Sequence, residues 1–320
     1  MTTHNLHVIL GTGPLGQAVA RDLLRRGERV RMVNRIGQAA MAAPVETVRG
    51  DVNDPSSVHA VTKDAAVVYQ CAQPAYTAWT TQFPPMQRSI IEGVARSGAT
   101  LVVAENLYMY GLVSGPMRED TPFAATTRKG RVRAEMAEAV QAAHRAGTLR
   151  TTSGRGADFF GPGVRNSALG ERVFAAALKG KTASTMGNLD LPHSYTFIDD
   201  FGAALVTLGQ NEAALGRAWH VPNAPAMTTR EVLNLLFTAL GTPPRMSGMG
   251  KLMLQLGGLF IPEARESVEM LYEFEHPFIV DSSAFERTFA QRATPLPVAI
   301  DATLHWYRSQ TLAAAPASPA

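Results

Sequence analysis

The 320-residue chain contains a single cysteine, Cys71. A lone thiol excludes an internal disulfide framework and a cysteine-rich metal site, and it fits a reducing compartment. No apolar run is long enough to cross a bilayer. The longest candidate, KLMLQLGGLFIP from Lys251, is short and carries two glycines, so a buried helix or the lining of a substrate lobe is expected there. The opening MTTHNLHVILGTG has no basic stretch ahead of a long apolar core, and no secretory leader is expected. Neither sign of charge is in large excess. The formal net charge is +3, with a modest cationic cluster from Arg128 to Arg133, which is not a nucleic-acid footprint. There is no H-E-x-x-H pattern and no G-x-S-x-G elbow. His193, His220, His276 and His305 stand alone in the sequence, and His4 and His7 near the amino terminus read as solvated. These absences leave the expectation of a cytoplasmic protein with no metal, nucleic-acid or membrane partner.

Hydrophobic residues make up 46% of the chain, enough to bury a core near the upper size of one domain. In the first half, LHVIL, RVRMV, AAVVYQC, ATLVVAE and LRTTSG read as strands, and PLGQAVARDLLRRG and PPMQRSIIEGVARSG read as amphipathic helices between them. Strand and helix in turn predict βαβ units and an α/β, doubly wound parallel sheet. In NDPSSVHAV, Asp54 is placed to cap a helix and Pro55 to occupy its first position. After Gly161 the rhythm breaks. MTTREVLNLLFTALG is one clear helix there, with Thr228 and Glu231 in capping-box spacing and Gly241 to end it. The reading divides the chain into an α/β domain over 1–160, a smaller C-terminal lobe over 161–311 with segments returning to the main sheet, and a disordered tail over 312–320.

The strongest local signal is VILGTGPLGQAVA, where Gly11, Gly13 and Gly16 follow the first strand and open the first helix. In that context Gly11 permits the tight turn, Gly13 lets the backbone approach a pyrophosphate, and Gly16 lets helix and strand pack closely. Thr12, Pro14 and Leu15 complete the loop. A chain selecting NAD carries Asp or Glu about 20 residues on. Here Asn34 and Arg35 stand there, and a guanidinium suits a 2′-phosphate, so NADP is favoured over NAD. Asp51 and Val52, after the third strand, sit where a short turn meets an adenine.

GTGPLG, GDVND, CAQPAY, YMYG, REDTPF, RGADFFGPG and YTFIDDFGAAL fall in the order seen in short-chain dehydrogenase/reductases. Over roughly Leu6 to Tyr307 the chain resembles their extended and atypical branch, the NAD-dependent epimerase/dehydratase type. The resemblance implies a Rossmann fold with a small C-terminal substrate lobe. It implies that Gly11, Gly13 and Gly16 hold the pyrophosphate and that Arg35 meets the adenosine ribose. Asp51 and Val52 would flank the adenine, Cys71, Ala72 and Gln73 would line the cofactor, and Asp158 would stand near the nicotinamide end. It also implies a homodimer through the long helix and the PPMQRSIIEGVARSG helix.

The family uses a Tyr and, four residues later, a Lys on the long helix, with a Ser or Thr after the fifth strand. This chain departs at all three places. Lys129 stands for the Tyr, Arg133 for the Lys and Asn106 for the Ser. Two cations four apart on one helix repel mildly, and a cleft that holds phosphates and a polar substrate would offset that. Arg133 can hold ribose hydroxyls but keeps its proton. Lys129 can serve as a general acid or as an electrostatic clamp on a carbonyl oxygen, and Asn106 can donate to the same oxygen. Tyr110, Tyr108 and Tyr76 lie on loops where ligands bind in such folds; packing with a satisfied hydroxyl is the first expectation for each, and Tyr110 is a further candidate beside the reacting oxygen. Asp199 and Asp200 read as helix-opening carboxylates rather than a metal site. Two functions remain open. One is an NADP-preferring oxidoreductase or epimerase-like enzyme for a small polar or sugar-like carbonyl compound, and the other is an inactive NADP-binding redox sensor.

Overall fold

The structure, a computed structural model, describes residues 5–39 and 45–313. His4 and residues 314–320 fall outside that range. The chain forms two compact units, the first made of 1–156, 199–222 and 281–292, the second of 157–198, 223–280 and 293–320.

The first unit is built on β1 (Leu6–Leu10), β2 (Arg29–Asn34), β3 (Glu46–Arg49), β4 (Ala65–Gln70), β5 (Thr100–Glu105), β6 (Thr151–Arg155) and β11 (Ala218–His220). They form one seven-stranded sheet of order β11-β6-β5-β4-β1-β2-β3, with every pairing parallel. The order reverses between β1 and β4, where ligands bind in doubly wound sheets. All five residues of β1 are buried, as both faces of a helix-covered parallel sheet require. The flanking helices are α1 (Pro14–Arg25), α2 (Pro55–Thr62), α3 (Trp79–Ser97), α4 (Arg128–Arg145), α6 (Ile198–Gly209) and α11 (Ser283–Phe289).

Local chemistry sets their ends. Asp54 accepts from the Ser56 amide at the start of α2, and Thr127 accepts from the Gly130 amide at the start of α4. Asp199 and Asp200 lie in the first turn of α6, where the helix dipole favours carboxylates, and Asp199 also pairs with Arg21. Helix α3 begins five residues before Pro84, the start expected from sequence, because Trp79 and Phe83 join the core beneath it. Pro84 and Pro85 therefore lie inside the helix. Neither has an amide proton for the i→i−4 ladder.

The second unit holds three two-stranded ribbons. They pair β7 (Asp158–Phe160) with β10 (Tyr195–Phe197), β9 (Pro192–His193) with β12 (Met227–Thr228), and β8 (Ala183–Met186) with β13 (Met246–Met249). Its core includes Phe160, Phe174, Phe197, Leu233, Phe237 and Tyr307. Helix α5 (Phe174–Leu178), α7 (Thr229–Leu240), α8 (Lys251–Gly257), α9 (Pro262–Ser267), α10 (Tyr272–Glu275) and α12 (Leu296–Ala313) surround it. The full capping box at Thr228 and Glu231 opens α7, and Gly241, at φ +66°, closes it. Two expectations change here. The first two residues of the expected tail are helical, because α12 runs through 313. KLMLQLGGLFIP is not a buried helix, since Leu254 alone of α8 is buried and the apolar side chains around it are exposed.

Candidate cofactor and active site

The glycine turn is shaped by close contacts on two sides and open on a third. Gly11 has φ +113°, and a Cβ there would lie 2.8 Å from the Ala72 amide nitrogen. Its own amide donates to the Val33 carbonyl at 3.0 Å. A Cβ on Gly16 would lie 2.2 Å from the Gly11 oxygen, so no larger residue fits. Nothing lies within 4 Å of the Cβ position of Gly13. Gly13 caps α1 without a side-chain hydrogen bond, and Pro14 fills the first position. The amides of that first turn are thus presented at the positive end of a helix dipole behind a residue with no side chain. Thr12, Gly13, Pro14 and Leu15 all retain solvent access. This cradle fits a pyrophosphate.

Asn34 braces the turn to the loop that follows β2. Its side-chain amide donates to Thr12 Oγ1 at 2.9 Å and to the Gln38 carbonyl at 2.5 Å, and its oxygen accepts from the Ile36 and Gly37 amides at 2.9 and 2.7 Å. Asn34 is therefore occupied in holding the loop, and Arg35 stands exposed beside it. Asp51 accepts from both the backbone and the side-chain nitrogen of Asn53 at 2.9 Å, and Val52 packs against the core. Cys71 closes the strand end by donating its amide to the Leu10 carbonyl at 2.9 Å. Burial pushes its thiol up to about 12, which keeps it neutral. Ala72 backs Gly11, and Gln73 is exposed. Gly11 to Gly16, Asn34, Arg35, Asp51, Val52 and Cys71 to Gln73 are thus brought together beyond the carboxyl ends of β1 to β4.

Lys129 and Arg133 are not on a solvated face. They are 0% and 2% exposed. Gly130 between them explains how α4 comes so close to the chain. A Cβ there would lie 2.7 Å from the Tyr108 carbonyl oxygen. Aromatic faces cover both charges. Lys129 Nζ is 4.6 Å from the Tyr76 ring centre, and the Arg133 guanidinium lies 5.0 Å from Phe83 and 5.9 Å from Trp79. Such contacts return part of the solvation that burial removes. The Arg133 guanidinium makes a long contact to the Ala104 carbonyl at 3.5 Å, and its Nε has no hydrogen-bond partner. Burial pulls the Arg133 guanidinium down, and the Glu105 carboxylate opposes that. Asn106, just past β5, is half-buried and accepts from the Tyr108 amide at 3.4 Å, which leaves its NH₂ to donate.

Tyr110 requires correction as a candidate beside the reacting oxygen. It is fully buried, with its hydroxyl 2.8 Å from His220 Nε2 and accepting from Arg155 at 2.6 Å. Burial pushes it up to about 12. The hydroxyl belongs to a buried chain in which Arg155 Nε donates to Glu105 at 2.8 Å, His220 Nδ1 lies 3.1 Å from the Asp281 carbonyl, and the His220 amide donates to Glu119 at 3.0 Å. Sequence reasoning missed this chain. One signal for it existed, because Glu105 and Arg155 each close a strand and fall opposite each other in the register.

Asp158 lies in the second unit, where its carboxylate is 2.8 Å from His193 Nε2. The His193 ring stacks on Phe274 and Phe278, with centres 4.8 Å away in each case. Glu273 is 2% exposed, its Oε1 has no hydrogen-bond partner, and burial and then the Asp158 charge raise its carboxyl well above the ordinary range. His7 is also corrected. It is buried, not solvated, and sits 3.0 Å from the Tyr69 hydroxyl. Among the described residues no group of three or more His, Cys, Asp or Glu side chains could hold a metal ion, and no helix is long and apolar enough to cross a membrane.

The sequence model of the NAD dependent epimerase/dehydratase family matches residues 8–221. A 2-alkyl-3-oxoalkanoate reductase of Stenotrophomonas maltophilia (strain K279a) is 29% identical over 258 residues, which is 73% of this chain and 74% of that protein. The fold is similar to the UDP-glucuronic acid 4-epimerase of Bacillus cereus in complex with UDP-glucuronic acid and NAD, with TM-score 0.77, 15% identity, and coverage of 95% of this chain and 99% of that one. It is similar also to the dTDP-glucose 4,6-dehydratase of Streptomyces venezuelae with NAD bound, with TM-score 0.78, 16% identity, and coverage of 95% and 97%.

Proposed function

Because the chain belongs to the NAD dependent epimerase/dehydratase family, we propose that it is a nicotinamide-dependent oxidoreductase that reduces a small polar carbonyl compound and prefers NADP to NAD. The observation that carries the reading is the open, uncapped glycine turn at Gly13, on the same unit as the buried pair Lys129 and Arg133. The dinucleotide, when bound, supplies or accepts a hydride. The chain's own residues do the rest. The α1 amides behind Gly13 take the pyrophosphate, and Arg35, exposed where a carboxylate would select NAD, takes the 2′-phosphate. Arg133 has donors to spare for ribose hydroxyls, which suits its fixed fork. Asn106 donates to the substrate oxygen. Lys129 stabilises the charge that develops there and can pass a proton to it. The 29% identity to a reductase over most of the chain supports carbonyl reduction over epimerisation.

Calorimetric titration with NADP⁺, NADPH and NAD⁺, combined with loss of dihydronicotinamide absorbance across a panel of ketones, aldehydes and oxo acids, tests this reading. Lys129→Ala should lower kcat by about 10²–10⁴-fold, the loss expected for a positioned acid, and leave cofactor affinity within about threefold of wild type. The replacement of both family Tyr and Lys supports a second reading, a cofactor-binding redox sensor without turnover. Tight NADPH binding with no reduction of any panel member would select that one.

A further inference from the structure

The first unit carries a second concave site at the far edge of its sheet. A cavity of about 420 Å³ is lined there by Arg118, Glu119, Asp120, Arg217, Asp281 and Arg287, among others. Arg217 leads directly into β11, which stands four strands from β1 in the sheet order. At ~4.8 Å per strand that is roughly 19 Å, so the cavity is separate from the glycine turn.

Two of its carboxylates are already engaged. Glu119 accepts from the His220 amide at 3.0 Å. Asp281 accepts from the Ser283 amide at 2.9 Å and pairs with Arg118 at 3.3 Å. The hydrogen bonds from Ser283, and then the Arg118 and Arg287 charges, pull the Asp281 carboxyl down, which keeps it ionised. The guanidiniums are less committed. Among the described residues, neither Arg217 nor Arg287 has a hydrogen-bonded or ion-paired side chain. Arg217 is nevertheless held in place. Its carbonyl accepts from the Ser153 amide at 3.1 Å and the Thr152 hydroxyl at 3.2 Å, and its guanidinium lies 4.3 Å from the Trp219 ring centre. A guanidinium covered on its face keeps its N–H donors, which lie in its plane. Three planar forks around one cavity match a phosphoryl group, which takes paired donors from each. Asp120 is exposed on the same cavity. It adds acceptors for hydroxyls on whatever carries the phosphate. The volume falls within the ~300–1,000 Å³ of small-molecule sites.

We propose that this cavity binds the phosphate monoester of a small hydroxylated compound through Arg118, Arg217 and Arg287, independently of the nicotinamide cofactor. Calorimetric titration of the full chain with glycerol 3-phosphate tests it, at an ionic strength fixed with potassium chloride and with circular dichroism as the folding control. The titration contains no nucleotide, so it is read apart from the cofactor assignment. Wild type should give saturable heat at one site with a millimolar or tighter Kd. Arg217→Gln with Arg287→Gln should weaken binding at least ~10-fold, through lost charge-assisted hydrogen bonds. Both side chains are exposed, so the fold should survive. Arg35→Gln should leave the affinity within about twofold of wild type. Absence of saturable heat overturns the proposal, as does binding that survives the double glutamine variant. Loss of binding in Arg35→Gln also overturns it, because the phosphate would then lie at the loop after β2. Acetate that binds as tightly as glycerol 3-phosphate overturns the phosphoryl assignment in favour of an unselective anion site.

Discussion

Glu105 in the first unit and Glu273 in the second are buried to the same degree, at 3% and 2% exposure, yet their surroundings are opposite. Glu105 accepts from Arg155 at 2.8 Å, and the chain continues through the Tyr110 hydroxyl to His220. Glu273 has an oxygen without a partner and a second carboxylate, Asp158, as its electrostatic neighbour. Burial alone does not decide what a charged group contributes. A paired carboxylate ties strands β5 and β6 together, whereas one without a cation can remain buried only by keeping its proton. The first unit uses buried charge to hold its sheet, and the second keeps a neutral acid whose cost depends on pH.

The harshest way to break this contrast is Glu105→Gln, which leaves the Arg155 guanidinium buried without its counter-ion. It should cost about 3–5 kcal/mol in urea unfolding, as removal of one member of a buried pair does, and a loss below about 1 kcal/mol would mean that the pair does not hold the sheet. Next in size is the acid limb of stability. Burial pushes His220 down to about 4, whereas an unfolded imidazole takes its proton near 6.5. Between those values the unfolded chain binds more protons, so this contribution is complete above pH 6.5 and falls away toward pH 4, by about 3 kcal/mol in all. His220→Gln should make unfolding free energy flatter over that window.

Glu273 should give the reverse slope. Its carboxyl keeps a proton that the unfolded chain releases near pH 4.5, so its contribution is complete below that value and declines as pH rises, by at most about 1.4 kcal/mol per pH unit. Glu273→Gln should remove the decline, and an unchanged alkaline limb would refute the neutral acid. The smallest effect on stability belongs to Arg133→Met. Arg133 is as buried as Arg155 but has a bare Nε, so replacing it should move stability by less than about 1 kcal/mol. It should weaken NADPH binding about tenfold by calorimetry. Together with Glu105→Gln, it separates buried charge that holds the fold from buried charge that does not.

What could be read in advance divides along the same line. The strands β1, β2, β4, β5 and β6, the Asp54–Pro55 start of α2 and the capping box of α7 depend on residues within a few positions of each other, and they are visible as spacing. The glycine turn is legible for the same reason. Tyr110 with His220, Asp158 with His193, and Glu105 with Arg155 are 110, 35 and 50 residues apart, and only the completed fold gives those side chains their partners. Exposure of Leu259 and Phe260 was equally hidden, because an apolar segment looks alike whether it is destined for a core or a surface.

The two prolines inside α3 have a mechanical consequence. Without amide protons at Pro84 and Pro85, the carbonyls one turn earlier lose their usual rungs, and the opening quarter of the helix is poorly coupled to the remainder. Trp79 and Phe83, the rings roofing Arg133, stand on that quarter. A fluctuation that lifted those rings would break few backbone bonds, and its cost would lie in the side-chain packing instead.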